Sequence, residues 1–394
     1  MRLYLDYASA VPISEEVLEA MRSAEGLWAN PGGLHAEGVA AKQALEAARS
    51  AIALELAVKA REIVFTSGLT ESNNLAILGL ARALESRGRG LETTHWITSS
   101  IEHDAVLESF AEIERRGGFV THVDPDERGY VSPESIVRAL RPETVLVSIG
   151  WANSETGTLQ PLRDIARAVR EARGDVLLHS DAGQAPLYLS PQVHTLGADL
   201  FALGSNKLGG PHGIGALYVS NRSHMRGILV GGKQERSLRA GTENVALAAG
   251  FAAAFKQASS QRAEDGRRVR DARDALRARL EAAIPGILVN TGRDALPHML
   301  NISIPDIAGE YVMLALDAAG IAVSTKSACR EGEVPESHVV KALGGPEWRA
   351  RNTLRLSIPP DLGPDAIARV AETLRGIVES RASRDTRVLN VNPM

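Results

Sequence analysis

Between about residues 60 and 220, short apolar and β-branched runs alternate with segments of helical period. The runs that predict strands are EIVFTSG, HWITSS, GFVTHVD, ETVLVSIGW, DVLLHSD, DLFALGS and GALYVS. Several of them are apolar without interruption, which is typical of strands covered by helices on both faces. In PLRDIARAVREA, one apolar stripe has the spacing of a crossover helix and consists of Leu162, Ile165, Ala166 and Val169. This alternation predicts a mostly parallel α/β domain.

A second, smaller unit follows a long charged segment at residues 257–284, which predicts a helix leading out of the first domain. Beyond it, HMLNISIP, GIAVSTKSA and NTLRLSI predict strands, and EYVMLALDAAG and PDAIARVAETLRGIVES predict helices. These elements favour an α+β arrangement. The last residues, 381–394, have no clear period, and we expect them to lack regular structure.

Charge and hydropathy limit the partners and the compartment. A formal net charge of −4 with 10 histidines provides no basic field for nucleic acid or for a membrane surface. The start, MRLYLDYASAVP, lacks the apolar core of a signal peptide, and the longest apolar stretch, residues 245–255, is too short to span a bilayer. We therefore expect a cytoplasmic protein that binds neither membranes nor nucleic acid directly.

The chain has a single cysteine, Cys329, within the polar segment STKSACREGE. It has no partner for a disulfide within the chain. One thiol is also too few for a cysteine-based zinc module, and no metal site is predicted. An unpaired thiol in polar surroundings is either accidental or reactive.

Three further motifs can each be interpreted in two ways, as part of a chemical site or as an ordinary structural feature. IVFTSGLTESNNLAILGL passes from a strand through a Ser-Gly-Leu-Thr turn into a helix, which is either a phosphate seat or an ordinary capped helix. In LLHSDAGQAP, Asp181 ends a strand and either holds a proton on a heterocyclic nitrogen or caps a turn. In LGSNKLGGPHGIGALYV, Lys207 precedes a glycine-rich loop and is either a Schiff-base amine or a solvated lysine.

The order of these motifs favours the chemical interpretation. An anion seat, a strand-end carboxylate and a glycine-flanked amine are the parts that bind pyridoxal 5′-phosphate. With them in place, the chain resembles the cysteine desulfurases of the class-V aminotransferase family, which are fold type I enzymes, from about residue 3 to about residue 380. The matching motifs are YLDYASAVP, NPGGLHAEG, FTSGLTESNN, SSIEHDAV, NSETGTLQP, HSDAGQAP, SNKLGGPHGIGALYV, GGKQERSLRAGTENV, LNISIP, GIAVSTKSAC, PESHVVKALG and LRLS.

The resemblance implies two domains and a homodimer. Residues 15–256 are expected to form a large pyridoxal-phosphate-binding α/β domain with a mostly parallel seven-stranded sheet. Residues 1–14 and 257–380 are expected to form a small α+β domain that carries the catalytic cysteine, followed by a tail at 381–394. The cofactor is expected between the two domains.

The resemblance also implies roles for single residues. Lys207 would form the Schiff base with the cofactor, Asp181 would face the pyridinium nitrogen, and His103 would stack on the ring as a proton shuttle. The other implied cofactor contacts are Gln184, Asn153, Thr70, Leu69, Ser205, Asn206 and Thr242, the last of which reaches the neighbouring subunit's phosphate. The substrate-binding positions are Asn30 and Arg355, whose planar guanidinium suits a bidentate pair with a carboxylate.

The implied reaction converts L-cysteine to L-alanine, with the sulfur taken by Cys329 as a persulfide for an acceptor protein. That acceptor would be an iron–sulfur scaffold, a tRNA-thiolating enzyme or a DNA-sulfur-modifying system. Lys326 and Arg330 lie on either side of Cys329. Their charges either favour the thiolate or only keep the segment solvated.

Four features depart from the family's pattern. Gly204 and Asn206 stand in Gly-Ser-Asn-Lys where many members have Ser-Gly-His-Lys. Leu69 replaces a small alanine, Lys326 replaces a glycine, and NPGGLH stands where NPSSxH is common. We expect effects on phosphate contacts, rate or substrate, but no loss of a chemical role.

Two other interpretations stay open. One is another pyridoxal phosphate enzyme on the same scaffold, such as a selenocysteine lyase, a carbon–sulfur lyase or an aminotransferase, for which Cys329 is dispensable. The other is a cofactor-free binding protein, suggested only by the departures at Gly204 and Asn206.

Overall fold

The computed structural model describes residues 2–325 and 336–389. The residues Lys326, Cys329 and Arg330 therefore lie outside the described part of the chain. The strands are β1 (Leu3–Tyr4), β2 (Ile63–Thr66), β3 (His95–Ser99), β4 (Phe119–Val123), β5 (Thr144–Ser148), β6 (Leu177–Asp181), β7 (Leu200–Gly204), β8 (Gly215–Val219), β9 (Leu288–Val289), β10 (Met299–Ser303), β11 (Ile321–Ala322) and β12 (Thr353–Ser357). The α-helices are α1 (Glu15–Glu25), α2 (Ala36–Glu55), α3 (Leu69–Glu85), α4 (Asp104–Arg115), α5 (Pro133–Ala139), α6 (Leu162–Ala172), α7 (Val193–Leu196), α8 (Val245–Ala283), α9 (Gly309–Ala318), α10 (His338–Ala342), α11 (Trp348–Arg351) and α12 (Pro364–Leu389).

The largest sheet has seven strands in the order β2-β8-β7-β6-β5-β3-β4. Neighbouring strands from β7 to β4 are parallel, whereas β8 is antiparallel to both β2 and β7. All seven runs that predict strands between residues 60 and 220 form this sheet. The predicted α/β fold with a mostly parallel seven-stranded sheet is confirmed.

Helices cover both faces of this sheet. Trp96 and Ile97 are successive residues of β3 and belong to different hydrophobic clusters, because neighbouring side chains in a strand point to opposite faces. The Trp96 cluster includes Phe110 of α4, which meets the Trp96 ring edge-on. The Ile97 cluster includes the stripe of α6, whose buried residues are Leu162, Ile165, Ala166 and Val169, as predicted.

Helix α8 is longer than the segment predicted for it. It begins after Asn244, whose side chain accepts a hydrogen bond from the Leu247 amide, and not near residue 257. The added turns are apolar on every side, a pattern that fits a helix buried all round and shows no stripe. Despite this length, none of the helices in residues 2–325 and 336–389 is apolar enough over a sufficient span to cross a membrane.

Two hydrophobic clusters share α8. Phe251 and Phe255 belong to the cluster under the seven-stranded sheet, whereas Leu276 and Leu280 belong to a second cluster. That second cluster also contains Leu5, which follows β1. The division into domains near residue 256 stays a prediction, and the change of cluster along α8 favours it.

The second cluster packs on two small sheets. One has the order β12-β10-β9, and in the other β1 pairs in parallel with β11. Antiparallel pairing of β10 with β12 sets Asn301 opposite Arg355. The amino terminus is thus joined to the carboxy-terminal third of the chain, and β12 presents Arg355 next to it.

The expectation for residues 381–394 is wrong for part of that range. Helix α12 continues to Leu389, and residues 390–394 lie outside the described part of the chain. Each residue added to an existing helix gains a backbone hydrogen bond, and alanine, arginine and leucine have high helix propensity. Residues 381–389 lack an apolar stripe, but their composition is compatible with a helix.

Candidate active site

Six of the seven strands of the large sheet have their carboxyl ends at the same edge. Because β8 is antiparallel to both neighbours, β2 runs in the same direction as β3, β4, β5, β6 and β7. A pocket of about 330 Å³ lies beside the carboxyl ends of these strands, which is where α/β sheets bind ligands. Its lining is Ser9, Leu69, Ile101, Glu102, His103, Gly150, Ala152, Asn153, Ser154, Gln160, Asp181, Gly183, Gln184, Lys207, Ser324 and Arg355.

Lys207 lies in a short 3-10 turn directly after β7. The turn spans Ser205–Leu208 and ends at Gly209, whose φ of 78° is a left-handed conformation that glycine adopts without strain. The Lys207 Nζ atom donates hydrogen bonds of 2.8 Å to the carbonyl oxygens of Ala8 and Ser9. The amine is therefore held at the pocket wall by the backbone of the amino-terminal segment.

The surroundings of Lys207 make its amine unusually easy to deprotonate. Burial, the largest cause, and the positive charge of Arg355 lower the pKa of Lys207 to about 8. The carboxylates of Asp181 and Asp6 oppose this lowering. A neutral fraction of the amine near neutral pH is what a condensation with an aldehyde requires.

Asp181 ends β6 and is fixed by two donors. Its Oδ2 accepts a 2.6 Å hydrogen bond from Nδ2 of Asn73, and its Oδ1 accepts one of 2.8 Å from the Gly183 amide. Asn73 is fully buried on α3. These contacts hold the carboxylate in one orientation in the pocket wall, although the Gly183 bond also fits the turn-capping interpretation.

His103 occupies the amino-terminal end of α4 as its cap. Its Nδ1 accepts a 3.0 Å hydrogen bond from the Ala105 amide. An accepting Nδ1 carries no hydrogen, so the neutral ring has its proton on Nε2. The cap therefore fixes both the position and the tautomer of the imidazole that lines the pocket.

Arg355 is buried and already has three acceptors. Its guanidinium donates to Oδ1 of Asp6 at 2.9 Å, to Oγ of Ser9 at 2.7 Å and to the carbonyl of Ser154 at 2.8 Å. Its Nε is buried without a hydrogen-bond partner among the described residues. Arg355 thus brings a fixed positive charge to the pocket.

Asn153 and Gln184 line the pocket with amides that are partly engaged. The Asn153 Nδ2 donates to the carbonyl of Ile101 at 2.9 Å, and its Oδ1 accepts the amides of Glu155 and Thr156 at 2.9 Å each. The Gln184 Nε2 donates to the carbonyl of Ala8 at 2.9 Å. Both side chains also help to fold the loops around the pocket.

Glu102 lines the pocket, and no role was predicted for it although it stands inside the quoted motif SSIEHDAV. It accepts hydrogen bonds from the Ser99 hydroxyl at 2.5 Å and the Gly150 amide at 2.9 Å. Burial raises the pKa of Glu102 to about 7, with a smaller contribution from the charge of Asp181, while the two hydrogen bonds oppose the rise. Glu102 is thus an acidic side chain in the pocket wall whose pKa lies near neutral pH.

We expect Glu102→Gln to change how stability depends on pH. The folded-state pKa of about 7 exceeds the unfolded value of about 4.3, so the folded chain binds more protons between these values. The stabilisation from Glu102 is therefore full at acid pH and is lost as the pH rises through about 7. Compared with Glu102→Gln, the wild type should lose about 3 kcal/mol of unfolding free energy between about pH 4 and pH 8. Urea unfolding across this range measures the difference.

The comparison between variants is needed because other groups titrate in the same range. Burial lowers the pKa of three histidines, which are His95, His179 and His298. Their effect on stability has the opposite sign and cancels in the difference. Glu127→Gln, at an exposed loop position, serves as the control. Parallel curves for wild type and Glu102→Gln would contradict the assignment.

The pocket does not include every residue that the resemblance implies. Thr70 lines a neighbouring groove that His103 also borders. Ser205 is fully buried with an unpartnered Oγ, and Asn206 donates to the Ser9 carbonyl at 3.3 Å. Thr242 is exposed on the loop before α8.

Asn30 lines a separate depression together with Arg49 and Glu235. Cys329 lies outside the described residues. The roles of all these residues stay predictions.

Three further residues shape the site without having been singled out. Asp6 and Ser9 belong to the quoted motif YLDYASAVP and Asn73 to FTSGLTESNN. Both motifs could be recognised in the sequence. The sequence does not show which of their side chains contact Arg355 or Asp181, because these contacts join segments that are far apart in the chain.

The side chains present fit pyridoxal phosphate. The pocket combines an amine with a lowered pKa, a carboxylate held at a strand end, an imidazole and a guanidinium. Its volume of about 330 Å³ lies at the lower end of small-ligand pockets, about 300 to 1,000 Å³. The seventeen-residue helix α3 begins at the pocket with Leu69, so its amino-terminal amides offer a seat for an anion.

The family model for aminotransferase class V matches residues 3–361. The chain belongs to the class-V aminotransferases. A cysteine desulfurase IscS from Dictyoglomus turgidum is 37% identical over 384 residues, which cover 95% of this chain and 96% of the relative. Membership of the cysteine desulfurases within the class-V family, predicted from the motifs, is confirmed.

Solved structures of related proteins agree with this membership of the class-V aminotransferases. A NifS-like protein has a TM-score of 0.89 at 31% identity and covers 96% of this chain and 100% of its own. A structure described as SspA in complex with cysteine has a TM-score of 0.78 at 35% identity and covers 91% of this chain and 99% of its own. As a class-V enzyme, the chain belongs to a family that depends on pyridoxal phosphate.

Proposed function

We propose that the chain binds pyridoxal 5′-phosphate in the pocket at Lys207 and converts L-cysteine to L-alanine, placing the sulfur on Cys329. The observation that carries this proposal is the convergence of Lys207, Asp181, His103 and Arg355 on one pocket. The similarity to a cysteine desulfurase from Dictyoglomus turgidum over nearly the whole chain supports the same reaction.

When bound, pyridoxal phosphate withdraws electrons from the α-carbon of an attached amino acid. Lys207 would hold this group through its amine, and its Nζ atom would accept and return the α-proton of the substrate. A pKa of about 8 suits both tasks, because either protonation state is accessible near neutral pH. Asp181, held by Asn73 and Gly183, provides the negative charge that keeps a heterocyclic nitrogen protonated.

Arg355 binds the substrate carboxylate in this proposal. Its guanidinium is oriented by Asp6, Ser9 and Ser154. Asp6 partly neutralises the guanidinium before the substrate enters, which limits the cost of burying the charge. The substrate carboxylate therefore competes with Asp6 for part of the guanidinium.

Cys329 takes the sulfur. The Cys329 sulfur forms a bond to the substrate sulfur as the substrate carbon–sulfur bond breaks, so that cysteine and one thiol give alanine and one persulfide. Ser324 lines the pocket and precedes Cys329 by 5 positions in the sequence, and five residues of extended chain span at most about 18 Å. The persulfide is then passed to a sulfur-acceptor protein.

Product analysis with L-cysteine tests the proposal against the other pyridoxal phosphate chemistries. Sulfur removal to Cys329 gives alanine, a carbon–sulfur lyase gives pyruvate, and an aminotransferase gives a keto acid that retains sulfur. We expect alanine and, with a reducing thiol present, sulfide in equal amounts. Pyruvate as the main product would contradict the proposal, and a purified protein that takes up no added cofactor would contradict its first step.

We further propose that the chain is a homodimer. Val230 and Leu34 are large apolar side chains with exposed fractions of 91% and 97%. Residues 30–32 and 233–236, next to them in the chain, line the same depression, so both lie near one surface. Exposed apolar side chains grouped in this way are typical of a subunit interface. Thr242, which the resemblance implies to reach the neighbouring subunit, follows residues 233–236 in the chain.

A charge in this surface should separate the subunits. We expect Val230→Glu to shift the protein from dimer to monomer, because the carboxylate would be buried without a partner in the interface. Sedimentation velocity at a series of concentrations measures the change. Phe119→Glu is the matched control. Phe119 is 55% exposed and lies on β4, at the edge of the seven-stranded sheet that is opposite to β2. A wild-type monomer, or a Val230→Glu dimer of unchanged stability, would contradict the proposal.

A further inference from the structure

Leu69 is the largest apolar side chain that is only partly buried in the pocket lining. It is the first residue of α3 and follows the cap residue Gly68. Most of the other lining side chains are polar or charged. An apolar side chain at this place therefore needs a physical reason.

Two glycines leave room for Leu69. A Cβ atom built on Gly183 would overlap Cδ2 of Leu69, and one built on Gly204 would lie 3.0 Å from Cβ of Leu69. The backbone requires glycine at neither position. Gly204 has an extended conformation with φ −123° and ψ 128°, and Gly183 is not among the residues with positive φ. At both positions the atom nearest to an added Cβ belongs to Leu69.

The two glycines belong to the segments that carry the reactive groups. Gly183 donates its amide to Asp181 and precedes Gln184, and Gly204 ends β7 three positions before Lys207. Leu69 thus packs against the carboxylate segment and the lysine segment at once. Any movement of the Leu69 side chain changes the pocket wall between Asp181 and Lys207.

We infer that Leu69, with the space provided by Gly183 and Gly204, is a positioning residue that forms the apolar wall against the flat ring of the cofactor. This inference rests on the proposed binding of pyridoxal phosphate. Flat aromatic ligands gain affinity from apolar side chains that exclude water from their faces. Here the side-chain volume of the wall is at position 69, and positions 183 and 204 have no side chain. A small side chain at position 69 would leave this volume to be filled from the other two positions. Exchanges that conserve the total packed volume are well tolerated.

The test measures the affinity of the cofactor-free protein for pyridoxal phosphate, by absorbance titration, for a cycle of variants. Loss of the isobutyl contacts in Leu69→Ala should weaken binding about tenfold. Gly183→Ala should weaken it at least about tenfold, because its methyl group drives Leu69 into the ring's space. In Leu69→Ala/Gly183→Ala the methyl group occupies the vacated space, so binding should be weakened about tenfold rather than the about hundredfold expected of independent effects.

Controls separate this role from a structural one. Gly376→Ala is the matched control, because a Cβ on Gly376 meets no atom within 4 Å. Melting temperatures of the cofactor-free variants show whether a loss of affinity follows a loss of stability. The Leu69→Ala and double variants keep the test valid if Gly183→Ala does not fold.

The outcomes distinguish this inference from the proposed function. Wild-type affinity in Leu69→Ala, or additive losses in the double variant, would overturn the role of Leu69 while leaving cofactor binding intact. A wild-type protein that binds no pyridoxal phosphate would overturn both.

Discussion

Replacing Lys207 with alanine should remove covalent attachment of the cofactor and lower alanine formation from cysteine by at least about a thousandfold. The loss combines the missing attachment point with the missing acid and base, and positioned proton transfer alone contributes about 10² to 10⁴-fold. The absorbance band of the amine-linked cofactor, recorded before and after adding pyridoxal phosphate, and the rate of alanine formation are the two measurements. Both should change together, because one nitrogen atom serves both tasks.

Lys207→Arg is the sharper of two controls. It keeps a positive charge near the carbonyl oxygens of Ala8 and Ser9, but a guanidinium is not deprotonated at neutral pH and forms no such linkage. We expect it to be as inactive as Lys207→Ala. Lys256→Ala, at an exposed position on α8, should behave as the wild type. Activity in Lys207→Arg would show that the amine is not the reacting group.

Replacing Cys329 with alanine should abolish sulfur removal while leaving the cofactor band unchanged. Loss of a nucleophile that no neighbouring group replaces lowers turnover by about a thousandfold or more. The chain contains 1 cysteine, so a persulfide formed with L-cysteine has one possible position. Intact-protein mass spectrometry should show a gain of about 32 Da in the wild type and none in Cys329→Ala.

Cys329→Ser controls for the shape of the side chain. Its hydroxyl is close in size to a thiol but does not form a persulfide, so we expect neither the mass gain nor alanine formation. Full turnover in Cys329→Ala, with alanine as the product, would exclude the proposed role of the thiol. Full turnover with pyruvate as the product would favour the carbon–sulfur lyase.

The fold was largely predictable because its elements have local signatures. The stripe of α6 appears in the sequence as Leu162, Ile165, Ala166 and Val169, and the structure buries these residues. The start of α8 was missed because its first turns are apolar all round, so no stripe marks the beginning. The end of α12 was missed because a helix extends by propagation beyond its packed part.

Site residues could be predicted from the sequence where they follow the carboxyl end of a predicted strand. Asp181 and Lys207 follow the ends of β6 and β7, and parallel strands bring such ends together. The contact of Asp6 with Arg355 joins residues 349 apart in the chain and has no local signature. The fit of Leu69 against Gly183 depends on packing between segments in the same way.

The most direct measurement of the central claim is reduction of the cofactor-loaded protein with borohydride, followed by peptide mass spectrometry. Reduction converts an amine–aldehyde linkage into a stable bond, so the labelled peptide identifies the lysine that holds the cofactor. The account predicts the pyridoxyl group on Lys207 and on no other lysine. A group found on another lysine, or a protein that keeps no cofactor after reduction and unfolding, would contradict it.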